Sequence, residues 1–596
     1  MPTPLTRLPA LLASLVVVAA PVLAQGTVGP APAPNAAAAA FRKVLDDDYK
    51  FRMREFPEFA ANQGDHTNDD KLTDLSPEAI ARRELHDRGL LAALRRIDRS
   101  KLQGQELLSY DLFLRDKEED VAGQRLPLRR FPVNQVNGVQ LGFPSTIRSM
   151  PRKTAKDYEN IAARIRAFPR YLGHITDQMR EGIRTGWTQP ATPLRTLPAQ
   201  IAAQVVDSAE RSPLWEPFAN LPAALPDTTK VRLRQLGREA ILGSAVPALR
   251  DFQAFVERDY IPAARKADGI SSVPGGSEYY QFRIRQETTL DLTPKEVHEI
   301  GLREVARIRA QMDSVVQAAG WTKSFPEWLT FLRTDPRFYY TKEEELLAGY
   351  REISKRIDGR LPELFAELPR LPYGVRSFPA YEAPAQTAAR YYQGAADGTR
   401  AGYFVANLYK LDSRPKYEME ALTIHEAAPG HHLQIARAQE LKELPQFRRG
   451  GGITAFVEGW ALYAESLGPA LGLYQDPYSK FGQLTYEMWR ACRLVVDTGI
   501  HAFGWTRQQA IDYMLANTAK SEQDVTVEVD RYIVWPGQAL AYKLGELRFQ
   551  EIRRKAEREL GAKFDVRRFH NALIDNGPLP LDVLTRVMDE WIARQK

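Results

Sequence analysis

The segment 421–436, ALTIHEAAPGHHLQIA, constrains this chain more than any other stretch of it. Leu422, Ile424, Ala427, Ala428, Leu433 and Ile435 make it apolar on most sides, so it belongs in an interior, yet it carries His425, Glu426, His431 and His432. Ionisable groups taken out of water need a partner, and a cation is the partner that imidazoles and carboxylates share. Four of the nine histidines fall between residues 425 and 501, and Cys492 is the single cysteine. Any metal is therefore held by His and carboxylate, and no intrachain disulfide forms.

In His-Glu-x-x-His sites a helix offers two imidazoles one turn apart to zinc, and the Glu beside the first takes a proton from water. Here the next histidines lie six and seven residues after His425, with Pro429 between. On an unbroken helix, at about 100° per residue, His431 points about 120° away from His425, and His432 aligns but sits about 10 Å further along. Pro429 has no N–H for the His425 carbonyl and crowds it, so Pro429-Gly430 is expected to bulge and return His431 to the one-turn position. His425 and His431 are the expected ligands, with His432 the alternative, and Glu426 is the expected base.

A catalytic zinc usually has three protein ligands and one open position. Glu458 is the expected third, because Phe456, Val457, Trp460, Ala461 and Leu462 surround it with apolar side chains. Glu465, on roughly the same face, is either a group orienting a ligand imidazole or a rim charge. Arg493, Asp497 and His501 recur every four residues on an apolar helix. That stripe has two readings: Asp497 bracing a histidine and His501 facing the reacting carbonyl, or a buried structural ion network. Tyr532 is a candidate oxyanion donor and Arg531 a candidate clamp for a peptide carboxylate. Strand signals at 390–393 and 403–409, with Asp397-Gly398 between them, predict one hairpin whose edge can pair with a peptide, with Arg400 either a substrate contact or an ordinary packing or turn residue of the hairpin.

The remainder of the chain reads as mainly helical. Ser76-Pro77-Glu78 and Thr293-Pro294 open helices, and Thr341 with Glu344 makes a capping-box pattern before a helical run 346–365. Pro-rich stretches near 212–226 and 361–384 are candidate lobe boundaries, and no internal repeat argues for a solenoid. With 44% hydrophobic and 10% aromatic residues in 596, the chain can fill a sizeable core and is not disordered. Eighty-one Lys+Arg against 75 Asp+Glu leave a net charge of only +6, without long like-charge blocks, which argues against nucleic acid as partner.

Arg7, the apolar run 8–20 and Val22-Leu23-Ala24 have the layout of an export signal cut after Ala24. The run falls short of the roughly 20 apolar residues that span a bilayer, so no membrane span is expected in the mature chain. Residue 25 is Gln rather than the Cys of a lipoprotein signal. The expected organisation is a signal peptide over 1–24, a Pro/Ala-rich linker over 25–40, and one helical domain over 41–596 with its active part at about 385–550. Such a product is exported, periplasmic or secreted, and soluble.

The strings HEAAPGHHLQ, VEGWALYAE, RLVVDTGIHAFGW and RYIVWPGQALAYKLG, with DGTRAGYFVANL and LTPKEVHEIGL upstream, resemble the bacterial family catalogued as domain of unknown function 885, over essentially the whole chain after about residue 41. Members of that family look like zincin-type metallopeptidases. The resemblance implies a multi-helical, lobed metallopeptidase of gluzincin type with a deep cleft and a small hairpin beside the metal helix. The widened His-Glu motif is also similar to that of dipeptidyl peptidase III, whose insertion is shorter. The expected activity is zinc-dependent hydrolysis of peptide bonds, with manganese or cobalt as alternative metals. An amidase acting on acylated amino acids or small amides uses the same residues. A catalytically idle envelope binding protein is the alternative without chemistry.

Overall fold

The computed structural model describes residues 35–596 apart from 380–382 and 451. The expected signal at 1–24 and most of the expected linker lie outside the described residues. The last part of that linker is helix, because α1 (Ala36–Glu55) starts inside the alanine run, where Asn35 accepts the N–H of Ala37 as its cap. Alanine is the strongest helix former, so a capped alanine run propagates a helix rather than a tether.

Local cap chemistry places the helices. Ser76 accepts the N–H of Ala79 to start α2 (Pro77–Leu94), Thr154 and Asp157 form a capping box at α3 (Ala155–Thr185), and Thr293 with Glu296 does the same at α4 (Pro294–Ala318). The expected Thr341 box does not form. Lys342 precedes α5 (Glu343–Asp358) without a side-chain cap, and the helix stops before Gly359 instead of running to 365. The Pro-rich 212–226 stretch is packed: Leu214, Trp215 and Phe218 are buried in one cluster with Tyr158, Ile161, Ile165 and Phe168 of α3.

The other large cores lie around the second half of the chain. α6 (Met419–Glu426), α7 (His431–Glu440) and α8 (Thr454–Glu465) share a core with α11 (Ala541–Leu560). α9 (Pro477–Phe503) is buried along almost its whole length, against α4 on one side and α10 (Glu522–Val534) on another. α8 and α11 cross at Gly459 and Gly545, where a Cβ on Gly459 would stand 2.5 Å from the Gly545 Cα. Only paired glycines allow that approach.

A three-stranded sheet lies beside α6 and α7, with strand order β1-β3-β2: β1 (Tyr373–Ser377) parallel to β3 (Gly402–Ala406), and β2 (Ala389–Tyr392) antiparallel to it. β2 and β3 are the expected hairpin, and β1 is an addition. β3 ends before the expected 409 because the Asn407 side chain turns inward and donates to the carbonyls of Ala383, Gln386 and Thr387. Among the described residues no helix is long and apolar enough to cross a membrane.

Candidate metal centre

α6 stops at Glu426 and α7 begins at His431, with Ala428-Pro429 cis between them. The break is held by the Gly430 N–H on the Ile424 carbonyl (2.9 Å), the His432 N–H on the Ala427 carbonyl (3.1 Å) and Trp460 Nε1 on the Pro429 carbonyl (2.9 Å). A Cβ at Gly430 would lie 2.1 Å from the His425 carbonyl oxygen, so the chain passes there only as glycine. The interruption brings the His425 and His431 rings to 4.7 Å between centroids, at 82°.

Their Nε2 atoms meet one carboxylate oxygen. Glu458 Oε2 is 3.5 Å from His425 Nε2 and 3.4 Å from His431 Nε2, and ligand atoms of the three residues lie within 4.8 Å of one another. Ligands at about 2.0–2.1 Å from a tetrahedral zinc stand about 3.3–3.4 Å apart, so the cluster has the dimensions of one face of such a site. Glu458 Oε2 is buried without a hydrogen-bond partner. An orphaned carboxylate oxygen aimed at two imidazole nitrogens fits a cation better than any neutral group.

The electrostatics agree. Burial would raise the Glu458 carboxyl, but His431 and His425 hold it well below the usual carboxylate range. Burial would lower His425, but Glu458 and Glu465 push it up to about 9, so the two carboxylates draw one positive charge into the cluster. Glu465 Oε1 lies 2.8 Å from His425 Nδ1, which turns Nε2 toward Glu458.

The cluster lines a cavity of about 350 Å³. Glu426 is on its wall beside His425 and His431, and residues 387–391, leading into and along β2, form another side. Trp489, Arg490, Arg493, Arg531 and Tyr542 close the rest.

Several expected residues stand elsewhere. His432 turns to the sheet, with Nδ1 3.0 Å from the Tyr391 hydroxyl and its ring 4.6 Å from that of Tyr373, and burial lowers it to about 4. His501 has both ring nitrogens engaged: Nδ1 accepts the Ile270 N–H at 3.1 Å and Nε2 donates to the Tyr532 carbonyl at 3.0 Å. Asp497 accepts from the Tyr280 hydroxyl (2.6 Å) and the Gly537 N–H (3.1 Å). At these two residues the polar stripe of α9 is thus a buried hydrogen-bond network rather than the expected ion network, and neither residue lines the cavity. The Tyr532 hydroxyl, fully buried, donates to Glu528 Oε2 at 2.9 Å and accepts from Arg493 Nε at 2.8 Å and Trp489 Nε1 at 3.1 Å, so it has nothing left for an oxyanion. Arg400 is exposed in the hairpin loop, bonded to the Gln393 carbonyl, and does not line the cavity. Arg531 does line it, but its Nε and Nη2 are on Glu528 and its Nη1 on Gln538.

Sequence reasoning passed over Arg490 and Tyr542. Tyr542 lies in the same RYIVWPGQALAYKLG string as Tyr532, with its ring 4.2 Å from the Arg493 guanidinium. The available signal was that string itself, which holds two tyrosines ten residues apart, on different helices.

A family profile described as "Bacterial protein of unknown function (DUF885)" matches residues 57–588. Among solved structures the chain is similar to a Colwellia psychrerythraea protein provisionally described as a lipoprotein, at 30% identity over 94% of this chain and 99% of that one, with a TM-score of 0.87. A Shewanella oneidensis protein, also provisionally described as a lipoprotein and of unknown function, matches at 18% identity over 92% and 99%, TM-score 0.69. A carboxypeptidase of Pyrococcus furiosus matches at 14% identity over 75% and 99%, with a TM-score of 0.35, too slight to bear on fold or function. No curated protein matches the sequence.

Proposed function

This chain belongs to the bacterial family of unknown function DUF885, and from its own site we propose that it is an exported, zinc-dependent hydrolase of peptide bonds. One observation carries the reading: two imidazole nitrogens converge within 3.5 Å of a buried carboxylate oxygen that has no hydrogen-bond donor, on the wall of a cavity that also holds Glu426.

His425, His431 and Glu458 would hold the metal. Two imidazoles and one carboxylate suit zinc, and also manganese or cobalt. When bound, such an ion supplies Lewis acidity and lowers the pKa of water toward about 7. Glu426, beside the ligands on the cavity wall, takes the proton from the attacking water and returns it to the leaving amine. Glu465 keeps His425 in the tautomer that presents Nε2. Tyr542 replaces Tyr532 as the hydroxyl available to the oxyanion. A peptide lying along the β2 side of the cavity finds backbone partners on that edge strand.

Export rests on the N-terminal pattern of Arg7, the apolar run and Ala24. Both described neighbours carry the lipoprotein designation, whereas this chain has Gln25 where a lipid-bearing cysteine would stand.

The test is metal content and peptide turnover of the mature protein beside two variants. Wild type is expected to hold about one zinc. Glu458→Ala loses it, and Glu426→Gln keeps it while turnover falls by about 10²–10⁴-fold. An active Glu426→Gln removes the base assignment. Wild type that takes up no zinc overturns the hydrolase reading and leaves a binding protein.

A further inference from the structure

Three arginines, Arg490, Arg493 and Arg531, share the cavity wall with the ligand cluster. Guanidinium stays charged at any pH the protein meets. Two carboxylates answer the three: Glu528, which takes Arg493 Nη2 at 2.9 Å and Arg531 Nη2 at 2.8 Å, and Glu465, 3.4 Å from Arg490 and already holding His425. The next cations have their own partners, Lys520 on Glu418 and Arg414 on Asp524. With a divalent ion on the cluster, Glu458 and Glu426 offset that ion. One positive charge on the arginine side is left without an anion.

Two donors of these wall arginines are unused. Arg493 Nη1 and Arg490 Nε are buried and have no hydrogen-bond partner, although every other charged nitrogen of this group is engaged or faces an acid. Both residues lie on α9, three positions apart, so their side chains emerge on one face. Arg493 is about one-twentieth exposed and is held by Glu528, Tyr532 and the ring of Tyr542. A buried, pre-positioned guanidinium with a free N–H suits a carboxylate. One surplus charge matches a monoanion and is overfilled by a phosphate dianion.

We propose that the substrate is gripped by a free carboxylate on Arg493 and Arg490, so that the bond cut lies near a C-terminal carboxyl or an acidic side chain. Arg531, whose Nε and Nη2 engage Glu528 and whose Nη1 engages Gln538, positions Glu528 and does not itself take the substrate. This inference rests on the hydrolytic reading above.

The experiment compares three matched peptides on the zinc-loaded enzyme: a C-terminal acid, its C-terminal amide, and an amide with Glu as its last residue. The acid is expected to exceed the plain amide in kcat/KM by on the order of 30-fold, mainly through KM. Recovery by the Glu-bearing amide identifies a side-chain carboxylate as the natural handle. Arg493→Gln is expected to bring the acid-to-amide ratio near one, and Arg493→Lys to an intermediate value. Binding of an N-acetyl amino acid and of its amide to wild type, by calorimetry, reads the same preference without turnover and without a variant. Equal rates on all three peptides overturn the carboxylate grip and leave hydrolysis standing. Preferential binding of the acid with no hydrolysis of any peptide overturns the hydrolytic reading and leaves the grip.

Discussion

Oε1 of Glu465 lies 2.8 Å from Nδ1 of His425, seven residues along α8 from Glu458, so one helix carries both the carboxylate facing Nε2 and the carboxylate facing Nδ1 of the same imidazole. Glu465 is fully buried. Glu465→Gln keeps an acceptor for Nδ1 but removes the charge. Zinc affinity is expected to fall by about 10–100-fold, read by competition with a chromophoric chelator. Unchanged affinity assigns Glu465 to Arg490 alone.

His431 and His432 are neighbours with opposite surroundings, one against Glu458 and the other against Tyr391. His431→Gln is expected to abolish stoichiometric zinc, while His432→Gln retains it, measured by elemental mass spectrometry on proteins of matched circular dichroism. The reverse pattern reassigns the second ligand.

The helix crossing at Gly545 leaves no room for a methyl group, since a Cβ there meets the Ala455 carbonyl oxygen at 2.1 Å and the Gly459 Cα at 2.7 Å. Gly545→Ala must push α11 off α8, and is expected to cost about 1–3 kcal/mol in urea unfolding and to weaken zinc binding through Glu458. Gly89→Ala, exposed on α2 with nothing within 4 Å of the new Cβ, is the control, expected to stabilise by about 0.5–1 kcal/mol. Equal effects from the two would show that the crossing tolerates a methyl.

His570 is buried and pushed down to about 3 by that burial, with Nε2 2.8 Å from the Tyr463 hydroxyl and Nδ1 2.9 Å from the Leu364 carbonyl. Its folded-state value is below the unfolded one of about 6.5, so the stability it contributes is present above that pH and lost as pH falls toward 3. Asp497, raised to about 7 by burial, acts with the opposite sign, so the net slope of the wild type does not isolate either group. The difference between wild type and His570→Gln does. Between pH 6.5 and 5, measured in chelator, the variant is expected to lose about 2 kcal/mol less than wild type. Parallel curves would place a protonated imidazole in the folded interior.

Helix starts were legible because a cap is a contact between residues three apart: Ser76 with Ala79, Thr293 with Glu296. The hairpin was legible for the same reason, with Asp397-Gly398 between two β-rich runs. β1 was not, because its pairing with β3 joins Tyr373 to Gly402 across an intervening strand. The polar residues of α9 divided in a way their spacing does not encode. Arg493 reaches the cavity, whereas Asp497 and His501 find Tyr280, Ile270 and Gly537 on segments distant in sequence.

The sequence by itself determined that His425, Glu426 and Glu458 must be compensated in an interior, because burial of charge in apolar helices is a local and costly fact. It also carried the mainly helical class and the family. Only the tertiary structure decided that His431 and not His432 meets Glu458, that Tyr542 and not Tyr532 lines the cavity, and that Arg493, a residue of its wall, keeps a buried unpaired donor. Each of those depends on where a second helix crosses, and a crossing is set by packing such as that of Gly459 on Gly545, to which no periodicity along a single helix responds.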